Sequence, residues 1–144
     1  MSRTRPNRRA REAGLTLLEL LVVITILGLL TVAVGSVALN YLGGAKTDTT
    51  ALKVDQVMAG LDYFRLDVGR YPSEEEGLNA LWKKPAGAER WNGPYVKKQD
   101  TLTDAWGKAL VYKVPGENGP IDVYSLGSDG AEGGEGEAQD VTSW

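Results

Sequence analysis

The sequence predicts an α+β fold: a long N-terminal α-helix, transmembrane in its first half, packed on a small antiparallel β-sheet head. Three observations predict it. A 26-residue stretch from Leu20 to Ala45 carries no charge; as a helix it is roughly 39 Å long, enough to cross a bilayer core. Thr47–Val68 then repeats apolar residues every three to five positions, the signature of a helix with one buried face. Nearer the C-terminus, Leu110–Val114 and Ile121–Leu126 flank a loop rich in Pro and Gly, as the strands of an antiparallel hairpin do.

Charge orients the span. Residues 1–14 hold five arginines (Arg3, Arg5, Arg8, Arg9, Arg11) and one glutamate, net +4, against net −7 over the rest. Arginines ahead of an apolar span keep that end cytoplasmic and leave the acidic remainder exported. The run is too long and apolar for a buried soluble helix. An ordinary secretory signal has a shorter apolar core ending at a small-x-small site. Ala33-Val34-Gly35 offers a weak version, but the run continues to Leu42. A plain anchor fits length and charge and leaves Glu19 unexplained, because a carboxylate among apolar residues is costly without a positive partner. The chain thus divides into a basic segment (1–14), an apolar helix (15–45) and a globular domain (46–144).

In the second half of the helix, Leu52, Val57, Leu61, Phe64 and Val68 are expected inward, with Lys53, Asp55, Asp62 and Arg65 outward. Gly69 and Pro72 end it. Ser73-Glu74-Glu75-Glu76 predicts the start of a short second helix, Ser73 capping it and Glu76 returning a bond to the cap amide. Leu78, Leu81 and Trp82 give that helix its apolar face, an ordinary packing role. Trp91-Asn92-Gly93-Pro94-Tyr95 reads as an aromatic-rich turn. After the hairpin, residues 127–136 contain five glycines, followed by Asp140-Val141-Thr142-Ser143-Trp144.

Composition excludes several functions. The chain has no cysteine and no histidine, so it has no disulfide framework, no thiolate chemistry and no imidazole base or ligand. An acidic exported domain lacks the clustered Lys and Arg that phosphate contacts need, which argues against nucleic-acid binding. Carboxylates, Lys and Ser remain, in no arrangement that resembles a catalytic motif, so no enzyme is expected.

Gly14-Leu15-Thr16-Leu17-Leu18-Glu19 behind a basic leader resembles the class III signal of type IV pilins and pseudopilins. Further motifs run in the same order: Asp67-Val68-Gly69-Arg70-Tyr71-Pro72, Glu76-Gly77-Leu78-Asn79-Ala80-Leu81, Trp91 to Tyr95, Asp104-Ala105-Trp106-Gly107, Tyr124-Ser125-Leu126-Gly127-Ser128-Asp129-Gly130, and Asp140-Val141 with Trp144. Together they resemble the major pseudopilins of type II secretion over nearly the whole chain. The signal is common to all pilins; the Ser-Leu-Gly-x-Asp-Gly stretch is the selective part. The chain departs from that pattern with Leu15 where phenylalanine is usual, Ser36 where many members have proline, Ala105 in place of proline, and Gln139 before Asp140.

The resemblance implies a type IV pilin-like fold and a structural role. The basic leader 1–14 is removed between Gly14 and Leu15 by prepilin peptidase, which N-methylates Leu15. Glu19 then has two readings: an acid snorkelling at the membrane interface, or a carboxylate neutralising the Leu15 ammonium of an adjacent subunit during assembly. The glycine-rich loop is either a solvated turn or a Ca²⁺ site that staples the C-terminal loop. Calcium takes six to eight oxygens, and the family's site implies the Asp129 and Asp140 carboxylates and the Leu126 carbonyl, completed by Glu137 or by carbonyls near it. The spacing is not that of an EF-hand. Implied partners are further copies of the chain in a helical filament, minor pseudopilins and the inner-membrane assembly platform. The chain sits in the inner membrane with its head in the periplasm. The rival readings are a minor pseudopilin, a type IV pilin subunit, or a membrane-tethered calcium-binding module.

Overall fold

The computed structural model describes residues 16–144. One helix, α1, runs unbroken from Leu17 to Val68. It continues as helix through Gly35-Ser36, where Ser36 replaces the proline that many members of the resembled family carry. Three strands follow: β1 (Val111–Lys113), β2 (Asp122–Ser125) and β3 (Val141–Thr142). They form one antiparallel sheet in the order β1-β2-β3. The hairpin expected from sequence is β1–β2, with Tyr112 opposite Val123. The two-residue β3 was not anticipated.

The chain forms two compact units, divided after Ala38. In the first, every described side chain from Thr16 to Val34 is exposed, and Leu17–Gly35 is long and apolar enough to cross a membrane. The second unit has its own core. Residues 39–45, placed with the span by the uncharged run, group with this unit.

Within the head, α1 buries Thr50, Val54, Val57, Leu61 and Phe64, alternating steps of four and three that line up on one face of a helix. Leu52 departs from expectation: it is 61% exposed. Its spacing suited the stripe, but Thr50 and Val54 take the inward positions on either side. Lys53 is half-buried, its ammonium donating to the Asp100 and Thr103 carbonyls at 2.9 Å each. The helix ends at Gly69, whose φ of 89° continues the chain in the left-handed region that glycine tolerates best.

The Ser73–Glu76 reciprocal cap forms as expected: Glu76 N–H donates to Ser73 Oγ (3.3 Å) and Ser73 N–H to Glu76 Oε2 (2.8 Å). The helix it was expected to start does not form. Gly77, at φ 56°, interrupts it, and a 3₁₀ turn at Leu78–Leu81 follows. Leu78 and Leu81 are buried while Trp82 remains exposed. Arg70 clamps the turn through a bidentate pair to Glu76 at 2.6 and 2.7 Å. This guanidinium hydrogen bond holds the Glu76 pKa down at about 2. The Trp91–Tyr95 turn packs on α1: Tyr95 lies edge-on to Phe64 and to Trp91, and its hydroxyl donates to Asp67 at 2.8 Å.

Candidate functional site

Gly14 and Leu15 lie outside the described residues. Glu19 stands in the first turn of α1. Its N–H donates to Thr16 Oγ1 at 3.2 Å, so Thr16 caps the helix and the acid sits where the helix dipole favours negative charge. This gives Glu19 a local role that the sequence reading missed, although Thr16-x-x-Glu19 carries the signal of a capping box. The carboxylate stays exposed among exposed leucines.

The C-terminal loop is built on a buried polar base. Asp104, nearly inaccessible, accepts from the backbone N–H of Trp106 and Lys108 through Oδ1, at 3.0 and 2.8 Å. Its Oδ2 accepts from Ser125 Oγ at 2.7 Å, and that hydroxyl accepts in turn from Gly127 N–H. Ser125 also pairs with Val141 across β2–β3, so the loop leaves and rejoins the sheet at one place. A second buried acid braces the other hairpin turn: Asp122 accepts from the Glu117 and Asn118 amides. Burial pushes the Asp122 pKa up, yet these amides outweigh it and hold the group below its ordinary value.

Inside the loop, Gly127 has φ 63°, and a Cβ there would sit 2.8 Å from the Glu137 and Ala138 backbone. At Gly134, also at positive φ, an added Cβ would strike the Ala138 carbonyl. The two limbs thus touch backbone to backbone, tied by Ser128 N–H to Glu137 O at 2.8 Å. Of the residues singled out from sequence, Leu126 O accepts from Gly130 N–H at 3.1 Å, and Asp129 Oδ1 accepts from Ala131 N–H at 3.1 Å. Asp140 Oδ2 accepts from Gly133 N–H at 2.9 Å. Its other oxygen, Oδ1, is the one buried side-chain polar atom among the described residues without a hydrogen-bond partner. An ionised oxygen left so is expensive unless a cation meets it.

Glu137 makes contacts of its own. Its Oε2 accepts from Trp106 Nε1 at 3.3 Å, and the side chain lies against Gly43 of α1. Its carboxylate therefore braces the loop against the helix. Glu132 instead shares with Asp140 the wall of a cleft of about 190 Å³ that also takes in Tyr124 and Trp144. Among the described residues no three acids converge tightly enough to hold a metal by themselves. The donors are all oxygen, which suits a hard cation.

The family description "Type II secretion system (T2SS), protein G" matches residues 38–144, and the prokaryotic N-terminal methylation motif matches residues 9–35. The chain belongs to the type II secretion protein G family. Family members of the same overall length are similar throughout. The type II secretion system core protein G of Pseudomonas aeruginosa is 39% identical over 141 residues, 95% of this chain and 98% of that protein. Its counterpart in Vibrio cholerae is 39% identical over 144 residues, 96% and 95% of the two chains. Among solved structures, the major pseudopilin from the type 2 secretion system of enterohaemorrhagic Escherichia coli matches with a TM-score of 0.57 at 31% identity, over 70% of this chain and 88% of that one. This protein G family member is a pseudopilin, with the apolar N-terminal helix and small antiparallel sheet of that fold.

Proposed function

We propose that this chain is the major structural subunit of a type II secretion pseudopilus, a periplasmic fibre whose growth drives folded proteins across the outer membrane. The observation that carries the reading is α1 itself, apolar and exposed over Leu17–Gly35 and cored only in the head. A surface like that needs lipid before assembly and sister helices after it. Prepilin peptidase removes residues 1–14 at the cytoplasmic face and methylates Leu15. The inner-membrane assembly platform then adds subunits beneath minor pseudopilins. Glu19 neutralises the Leu15 ammonium of a neighbour, so a subunit out of register leaves a charge uncompensated in oil. Successive copies present different faces above and below, giving an open helix.

Mass spectrometry of the protein from native membranes tests this. A chain beginning at N-methyl-Leu15 is expected; one still beginning at Met1 overturns it. Glu19→Ala should leave cleavage intact and reduce fibre yield at least tenfold.

We also propose that the C-terminal loop binds Ca²⁺ through the Asp140 and Asp129 carboxylates and the Leu126 carbonyl. The partnerless Asp140 Oδ1 supports this. Bound calcium would supply charge to that oxygen and tie the loop to β2–β3. Saturating calcium about a hundredfold above its Kd adds roughly 2.7 kcal/mol of stability, and Asp140→Asn should abolish the melting shift. An equal melting temperature of the wild type in millimolar calcium and in EGTA removes the site.

A further inference from the structure

The Lys108 ammonium is the one cationic group that structure places on the backbone of this loop among the described residues. Its Nζ donates to Ser128 O at 2.9 Å and to Gly127 O at 3.4 Å, in a half-buried setting. It also lies against Gly130, where an added Cβ would come within 2.8 Å of it. The approach is not accidental to a long side chain. Lys108 N–H is pinned by Asp104, whose other oxygen holds Ser125, which holds Gly127 N–H. The same small network therefore fixes both the root of the lysine and the limb its tip meets. The Gly127 and Ser128 carbonyls thus converge on one ammonium, a group with three donors and no acceptor.

We propose that Lys108 is a built-in cation of the C-terminal loop, ordering its Gly127–Gly130 limb without metal and holding down its affinity for calcium. The proposal rests on the calcium reading above. Two consequences follow from one charge. Without metal, the ammonium satisfies carbonyls that would otherwise be left to water. With metal, a fixed positive charge on the same short limb opposes a divalent cation, because like charges on one short loop repel even near a protein surface. Removing the charge should then raise calcium affinity by about five- to tenfold while loosening the metal-free loop. A lysine that only supported the loop would do the opposite to affinity, since a disordered site binds more weakly.

The test uses the full chain in detergent micelles, comparing the wild type with Lys108→Met, which keeps the stem, and Lys108→Arg, which keeps the charge. Amide exchange in EGTA reads the metal-free loop, and calorimetry with calcium chloride reads affinity. The expected result is faster exchange over residues 127–130 and five- to tenfold tighter calcium for Lys108→Met, with Lys108→Arg close to wild type. Unchanged exchange in EGTA, or calcium bound equally or more weakly by Lys108→Met while the wild type binds it, overturns the proposal and leaves the calcium site standing. No calcium heat from the wild type or either variant removes the site itself and the competition with it.

Discussion

The two ends of α1 are one helix with two opposite surfaces. Over Leu17–Gly35 apolar side chains point in every direction and none of the described ones to Val34 is covered. Over residues 50–64 a narrow stripe is sealed from solvent and the remainder is wet. Backbone hydrogen bonding is the same in both. What differs is where the apolar surface finds its cover: the head supplies it from within one chain, and the stem must take it from lipid or from other copies. Stability measured on a single subunit therefore reports on the head and is blind to the stem.

The sharpest test of that contrast is a pair of truncations. Phe64→Ala, at 0% exposure, should cost the head about 3 to 5 kcal/mol. Leu27→Ala, equally apolar, should change urea unfolding of the micellar protein by less than about 0.5 kcal/mol. Comparable losses would mean that the stem is covered within the subunit. Gly127→Ala comes next: a residue with φ 63° against the Ala138 backbone should lose about 2 kcal/mol or more. Limited proteolysis after residue 127 would report it.

A smaller effect concerns pH. Glu76 titrates near 2 in the folded head because Arg70 hydrogen-bonds its carboxylate. Its folded pKa is depressed, so its stabilisation is complete above the unfolded value of about 4.3 and is lost as pH falls toward 2. With Arg70 half-exposed, the amount is about 1 kcal/mol after solvent screening, and Glu76→Gln should flatten the head's stability over that interval. The smallest effect is expected at Leu52. Its truncation to Ala should alter stability by under about 0.5 kcal/mol, because the sequence pattern that placed it inside is not what the packing uses.

What could be read from sequence was local. The apolar span, the glycine that ends α1, the Ser73–Glu76 cap and the β1–β2 hairpin each follow from residues within a few positions of one another. What escaped depends on contacts between distant segments. Thr50 is buried because it accepts from Ala105 N–H at 3.1 Å, which no helical periodicity can indicate. The two-residue β3 exists because β2 offers it a partner. Gly77 turned a predicted helix into a 3₁₀ turn, although its position after a capping box was visible. Around the loop, Asp129, Asp140 and Leu126 were picked out by motif. Lys108, Asp104 and the contact of Glu137 with Trp106 came only with the three-dimensional arrangement.

Gly43 lies in the part of α1 that belongs with the head, and there the Glu137 side chain rests directly on the helix backbone. Glycine weakens a helix interior by up to about 1 kcal/mol relative to alanine. Here that weakness has a use: the bare backbone is a berth for the tail. A single methyl group added on this rung would push the Glu137 carboxylate off its mooring and away from Trp106. The last loop to be synthesised thus has a say in which residue the first helix can carry.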